Sequence, residues 1–331
     1  MNARRLGRTG PSVFPLALGC MGMSAMYGPS DEAESLATIH AALDAGVTLF
    51  DTGDFYGIGH NERLLQRALG ARRHDVLLSV KFGALRAPGG GWTGVDGRPA
   101  AVKNFLAYSL DRLGTDHVDI YRPARLDPNV PIEETVGAIA DLVKAGSVRH
   151  IGLSEVNPET VRRAQVMHPI VDVQLEYSLA SRGLEAQLPA LRSMGVGVTA
   201  YGVLSRGLLT GSTPKGPTDF RAWLPRFTGA NAETNQKAQR SLAQVAAKEG
   251  VTPAQLAIAW VLSRGKDLVP VIGARTRTQL AEALGALKLE LSPDTLKAIE
   301  AAVTPESIAG TRYAPEHMTN LDSERPAAGR A

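Results

Sequence analysis

Apolar and polar residues alternate along this chain in two different periods. Short runs dominated by Val, Leu and Ile occupy 16–20, 47–51, 76–82, 118–124, 148–154, 171–177, 197–203 and 268–272. Each is the length of a strand and carries few polar residues, the pattern of a strand covered on both faces. Elsewhere the apolar positions recur at helical spacing, over 31–45, 60–69, 101–113, 131–145, 158–167, 183–194, 236–249, 253–264, 276–287 and 293–302. Gly46 and Gly146 stop two of these helices, and Pro131-Ile-Glu-Glu134 is a good first turn. Strand followed by helix, repeated eight times, predicts parallel strands, and the number predicts closure into a (β/α)8 TIM barrel.

That barrel is expected to be one domain over 1–331. Residues 1–15, with Gly7, Gly10, Pro11 and Pro15, read as an N-terminal cap hairpin. Two insertions, 83–100 and 205–234, leave the C-terminal ends of strands, where the substrate loops of barrels sit. The tail, 304–331, has no periodicity, and two readings stand: it folds back over that mouth, or it is disordered.

Composition narrows the partners. The chain of 331 residues can bury a large core, and no Pro-, Gly- or Ser-rich linker divides it. With 36 basic and 33 acidic residues the net charge is only +3, and no basic run points to nucleic acid or a membrane surface. Cys20 is the sole cysteine, so no internal disulfide forms, which fits a reducing compartment. The opening MNARRLGRTGPS lacks the apolar core of a signal peptide, and no segment approaches a membrane span; a cytoplasmic protein is expected. The histidines show no His-x-His or other metal spacing, so no metal site is expected.

Candidate chemistry concentrates in 47–82. Asp51 ends one apolar run, Tyr56 lies in the loop after it, and Lys81 stands near the end of the next run. In a parallel barrel these positions meet at one mouth. Tyrosine titrates near ~10 unperturbed. An adjacent lysine charge lowers that value, and a carboxylate holds the lysine charged. The expectation is a phenol that gives and retakes a proton near neutral pH.

These residues belong to a series of motifs that resembles the aldo-keto reductases over nearly the whole chain. The series runs Gly19-Cys-Met-Gly-Met23, Asp51-Thr-Gly-Asp-Phe-Tyr-Gly57, Lys81-Phe-Gly83, Ile151-Gly-Leu-Ser-Glu155, Gln174-Leu-Glu-Tyr-Ser178, 201–211 and Ile272-Gly-Ala-Arg275. The resemblance implies NADPH bound without a separate Rossmann domain. It implies reversible reduction of a small-molecule aldehyde or ketone, with hydride from the nicotinamide and a proton from Tyr56. Lys81 would tune that phenol and Asp51 would steady Lys81. Ser154 and Gln174 would hold the carboxamide, and Tyr201 would stack on the ring. Gly22 and Met23 would border the cofactor. Gly202, Val203, Leu204, Gly207 and Leu208 would wrap the pyrophosphate with backbone amides, joined by Arg206. Gly273, Arg275, Thr276, Gln279 and Glu282 would hold the adenosine end. Arg275 is assigned to the 2′-phosphate because a guanidinium matches a dianion bidentately. The residues agree that no Rossmann fold is present: Gly57-Ile-Gly59-His-Asn-Glu62 breaks the dinucleotide fingerprint at its third glycine. The adenosine end departs from the family pattern at Thr276, often basic, and at Ala283, often Asn.

One departure falls at the centre. The family carries a histidine at the end of the fourth strand that donates to the substrate carbonyl; this chain has Ala124, in Tyr121-Arg-Pro-Ala-Arg-Leu-Asp-Pro128. Strand alternation puts Val118, Ile120, Arg122 and Ala124 on one face. Arg122 therefore points inward one layer lower, with two readings: a stand-in donor rising past Ala124, or the partner of a buried carboxylate such as Asp172 or Glu176. The missing histidine also leaves open an NADPH-binding subunit or redox sensor with slow chemistry. Oligomeric state has no signature in the sequence.

Overall fold

The computed structural model describes residues 3–217 and 219–325. Eight parallel strands close into a barrel in chain order: β1 (Ala17–Gly19), β2 (Leu49–Gly53), β3 (Leu77–Phe82), β4 (Val118–Pro123), β5 (Val148–Ser154), β6 (Ile170–Glu176), β7 (Gly197–Tyr201) and β8 (Leu268–Gly273), which pairs back onto β1. The (β/α)8 expectation holds, and each strand boundary falls within two residues of its apolar run. The helices outside them are α1 (Glu32–Asp44), α2 (His60–Leu69), α3 (Pro99–Leu113), α4 (Ile132–Lys144), α5 (Pro158–Met167), α6 (Leu188–Met194), α7 (Gly229–Lys248), α8 (Pro253–Ser263), α9 (Arg277–Gly285) and α10 (Pro293–Ala302). Local chemistry fixes their starts. Asp31, Asn157, Thr276 and Ser292 cap α1, α5, α9 and α10 through their side chains, and Thr252 with Gln255 forms a capping box on α8. None of the helices among the described residues is long and apolar enough to cross a membrane.

Three details differ from the pattern reading. The 83–100 insertion folds as an antiparallel hairpin, Ala84–Arg86 against Trp92–Val95. Helix α7 begins inside the second insertion, at Gly229. The 183–194 segment breaks into a short turn and α6, because Pro189 starts a new helix at its first turn.

The apolar residues divide into two bodies. The larger packs the outer faces of the strands against the helices; the smaller, Leu6, Val13, Ala17, Leu49, Ile120, Val269 and Val271, fills the lower barrel. Leu6 and Val13 come from the N-terminal hairpin, Arg4–Arg5 on Ser12–Val13, whose Arg8 N donates to Gly195 O at 2.7 Å. The hairpin thus plugs the N-terminal end and leaves the C-terminal end open for chemistry. Above the apolar floor the inward positions turn polar: Ser79, Arg122, Asp172 and Thr199, then Asp51, Lys81 and Gln174. Gly152 makes that layer possible, since a Cβ there would meet Asp172 Oδ1 at 2.8 Å and Arg122 Cζ at 3.0 Å.

Candidate active site

Asp51, Tyr56 and Lys81 meet at the C-terminal mouth. Asp51 lies on β2, directly beside β3, where Gly53 pairs with Lys81. Lys81 Nζ forms an ion pair with Asp51 Oδ1, both buried inside the protein. Lys81 Nζ also lies 5.2 Å from the centre of the Tyr56 ring. Ser79 Oγ and Gln174 Nε2 donate to the other Asp51 oxygen at 2.9 and 2.8 Å. The Tyr56 loop is pinned by Asp54 N on Lys81 O, 2.9 Å, and Tyr56 N on Gly53 O, 3.0 Å. Phe55 packs edge-on against Tyr56 at 4.8 Å and against Trp92 of the hairpin at 5.5 Å.

The electrostatics differ from the sequence reading. Burial pushes the Tyr56 phenol well above its ordinary value, and Asp51 pushes the same way. Burial lowers Lys81, against the pull of Asp51. A lysine already matched by a carboxylate adds little net field at a neighbouring phenol. Tyr56 is therefore a protonated acid at neutral pH rather than a near-neutral titrating group, and the charge that favours its ionisation is Arg125.

Of the two readings of Arg122, the structure shows the partner of a buried carboxylate. It does not rise past Ala124. Its guanidinium lies fully buried and bidentate on Asp172, at 3.0 and 3.1 Å, with further donations to Leu153 O, Thr199 Oγ1 and Ser79 Oγ. Both terminal nitrogens already have protein acceptors, so neither is left for a substrate; among the described residues only Nε has no partner. The chain Arg122 to Ser79 to Asp51 makes it a support for the carboxylate that holds Lys81.

A cluster that periodicity could not reveal closes one side of the mouth. Arg312, from the tail, binds Glu155 at 2.9 Å and approaches Glu176 at 3.3 Å. Tyr201 Oη donates to Glu155 at 2.8 Å and lies 3.3 Å from Tyr313 Oη. Burial alone would raise Glu155, but Arg312 holds it at about 2. Farther along, Asp322 accepts from Asn157 N and Thr160 Oγ1, and Ser323 Oγ donates to Glu155. The described part of the tail thus lies across the ends of β5 to β7. A cavity of about 280 Å³ beneath it is lined by Glu155, Glu176, Ser181, Arg226 and Arg312, and by none of Asp51, Tyr56 and Lys81.

The expected cofactor residues divide. Ser154 and Gln174 are buried at adjacent strand ends, paired in register, but the Gln174 amide is engaged by Asp51. The Met23 side chain, at 1 % exposure, packs in the strand–helix core. Gly22 lies against Arg275, where a Cβ would meet Cγ at 3.2 Å. After β7 the loop turns through Gly202, with Ser205 and Arg206 left-handed at φ 48° and 57° and Gly207 at 92°. Such backbone costs on the order of 1–3 kcal/mol per non-glycine residue and gathers at ligand clamps. The side chains of Val203 and Leu208 are buried and Leu204 packs on the core, so that stretch can offer only backbone; Arg206 binds Glu176 at 2.9 Å. Thr276 caps α9, Gln279 Oε1 accepts from Arg275 N at 2.8 Å, Gly273 is exposed and Glu282 half-buried. The Arg275 guanidinium meets only backbone, Tyr27 O at 3.1 Å and Pro29 O at 3.4 Å, with no carboxylate in reach among the described residues. An arginine at a helix start with no carboxylate partner among the described residues fits a phosphate-bearing group.

Asp54 gives a test of pH response. Both its oxygens are buried without hydrogen-bond partners among the described residues, near the charge of Glu62, itself paired with Arg112. Burial and the Glu62 charge raise Asp54 from the ordinary 3.8 to about 7. The native state then holds an extra proton between those values, so stability falls as pH rises through that window. Asp54→Asn should therefore gain over the parent from pH 4 upward and level off above 7, by on the order of a few kcal/mol. Thermal denaturation across that range measures it; a pH-independent difference would refute the assignment.

Comparison with known proteins supplies the remaining context. The sequence model of the aldo/keto reductase family matches residues 15–304. A probable aldo-keto reductase 1 from Glycine max is 38% identical over 315 residues, 93% of this chain and 91% of its own. Among solved structures, the glycerol dehydrogenase AKR11B4 from Gluconobacter oxydans superposes with a TM-score of 0.82 at 28% identity, covering 93% of this chain and 98% of that one. The holo form of aldo-keto reductase AKR11C1 from Bacillus halodurans gives 0.77 at 27% identity, covering 92% and 97%.

Proposed function

The chain belongs to the aldo/keto reductase family, a family of nicotinamide-dependent carbonyl oxidoreductases, and on that premise we propose that it reduces an aldehyde or ketone with NADPH, Tyr56 giving the proton. The observation that carries this is the Asp51–Lys81 ion pair set against the Tyr56 ring. When bound, the reduced nicotinamide supplies hydride to the carbonyl carbon. Tyr56 is a buried phenol that stays protonated until an oxygen beside it gains negative charge. The Asp51–Lys81 pair fixes the floor on which that oxygen rests, and Ser79 and Arg122 fix Asp51 in turn. The Phe55–Trp92 contact, with Arg86 over the Trp92 ring at 4.1 Å, walls the side where a substrate would enter.

For the cofactor, Arg275 favours NADPH. Arg275→Met should weaken NADPH binding by about 10- to 100-fold, as for a lost charge-assisted pair, and leave NADH binding nearly unchanged. Fluorescence titration with both cofactors, run beside a carbonyl screen that follows NADPH absorbance, tests the reading. Equal loss for both cofactors would remove Arg275 from the 2′-phosphate. Failure to bind either cofactor, or to turn over any carbonyl, would overturn the proposal itself.

A further inference from the structure

Arginines crowd the mouth of the barrel, and most are matched by carboxylates. Arg206 holds Glu176, Arg312 holds Glu155, and Arg221 holds Asp219 at 2.7 Å. Arg125 is half-buried and has no carboxylate within 4 Å among the described residues. It follows Ala124 at the end of β4, the strand paired with the one that carries Lys81. Its Nη1 donates to Ala124 O at 2.6 Å, which folds the guanidinium back across a residue that offers only a methyl group. Its other N–H groups have no protein acceptor among the described residues.

The surroundings of that guanidinium are the candidate reaction chamber. Tyr313, Tyr201 and Glu155 favour its charge, and Arg312 opposes it. Its own charge opposes burial at both Tyr56 and Tyr313. Ala124 N donates to Phe82 O at 2.8 Å, so Arg125 leaves the end of its strand beside the end of the strand that carries Lys81, at the mouth where the carbonyl oxygen would lie. A positioned donor with spare N–H groups where charge develops is the arrangement that stabilises an oxyanion.

We propose that Arg125 is a catalytic residue that donates to the carbonyl oxygen of an uncharged aldehyde or ketone beside Tyr56. The proposal rests on the carbonyl-reductase reading above. As hydride adds to the carbonyl carbon, the π pair of the C=O bond moves onto oxygen, and Arg125 holds the charge. That oxygen then takes the Tyr56 proton, and water reprotonates the phenolate. The carbonyl gains the two electrons that the nicotinamide loses.

Arg125→Met and Arg125→Lys test it, with benzaldehyde first in a panel of uncharged carbonyls and para-carboxybenzaldehyde as its charged counterpart. Arg125→Met should lower kcat/KM for the uncharged substrates by about 10²–10³, while Arg125→Lys, which keeps a charge, should recover part of the loss. Calorimetry should show unreactive benzamide binding to the NADP⁺ complex about tenfold or more weaker in Arg125→Met, as for a lost hydrogen bond to a charged donor, with NADP⁺ affinity unchanged. Parental kcat/KM and benzamide affinity in Arg125→Met would overturn the proposal alone. So would a defect seen only as weaker apparent binding of the carboxylated aldehyde, which would make Arg125 an anion anchor. A parent protein that binds no NADPH or turns over no carbonyl would overturn the functional reading, and this proposal with it.

Discussion

Tyr56→Phe should bind NADPH as tightly as the parent and lose roughly 10²–10⁴ in turnover, the usual worth of a positioned general acid. The substitution removes one oxygen. Phenylalanine keeps the ring that meets Phe55 edge-on and lies against Lys81, so the loop and the Asp51–Lys81 pair should survive. Among the described residues no hydrogen bond from the Tyr56 hydroxyl to another protein group holds the fold together, so its loss is read in chemistry alone. Paired fluorescence titration and steady-state kinetics separate the two quantities. Undiminished turnover would move the proton donor elsewhere, and a parallel loss of cofactor affinity would show that the ring had shifted.

Arg122→Met should be the most destabilising single change in the barrel interior, at about 3–5 kcal/mol, because it strands a buried carboxylate. Asp172 sits wholly inside the protein, and its bidentate partner is that one guanidinium. The remaining side-chain donor to Asp172, Thr199 Oγ1 at 2.5 Å, is neutral and cannot balance the charge. Arg122→Met combined with Asp172→Leu removes both charges and should recover much of the loss, since paired burial of ions is near break-even against apolar packing. Urea unfolding of the two variants measures this. A single variant as stable as the parent would mean that Asp172 finds another partner or takes up a proton.

Trp92 and the tail show where pattern reading stops. Trp92 lies in an insertion with no local period, and only the hairpin register brings its ring to Phe55. Arg312 and Tyr313 lie in a stretch with no period, far along the chain from Glu155 and Tyr201, and nothing local announces that they meet. Arg125 carries one faint signal, a cation next to the alanine that replaces an expected donor, but which way it folds is a tertiary matter. Arg122 is the reverse case. Its inward direction follows from strand alternation, yet whether it rises to the mouth or stays below depends on Asp172, two strands away around the barrel.

The sequence by itself determined the barrel, the closing hairpin and the convergence of Asp51, Tyr56 and Lys81, because each depends on short-range rules. Strand and helix periods, caps and the pleat place a residue at a strand end and on the inner face without knowledge of its neighbours. Tertiary structure alone decided which charges pair and hence which remain free. Lys81 is matched by Asp51, Arg122 by Asp172, Arg206 by Glu176 and Arg312 by Glu155, while Arg125 and Arg275 have no carboxylate partner among the described residues. Pairing inside a low-dielectric chamber turns on ångströms between side chains from different strands, and no local pattern encodes those distances.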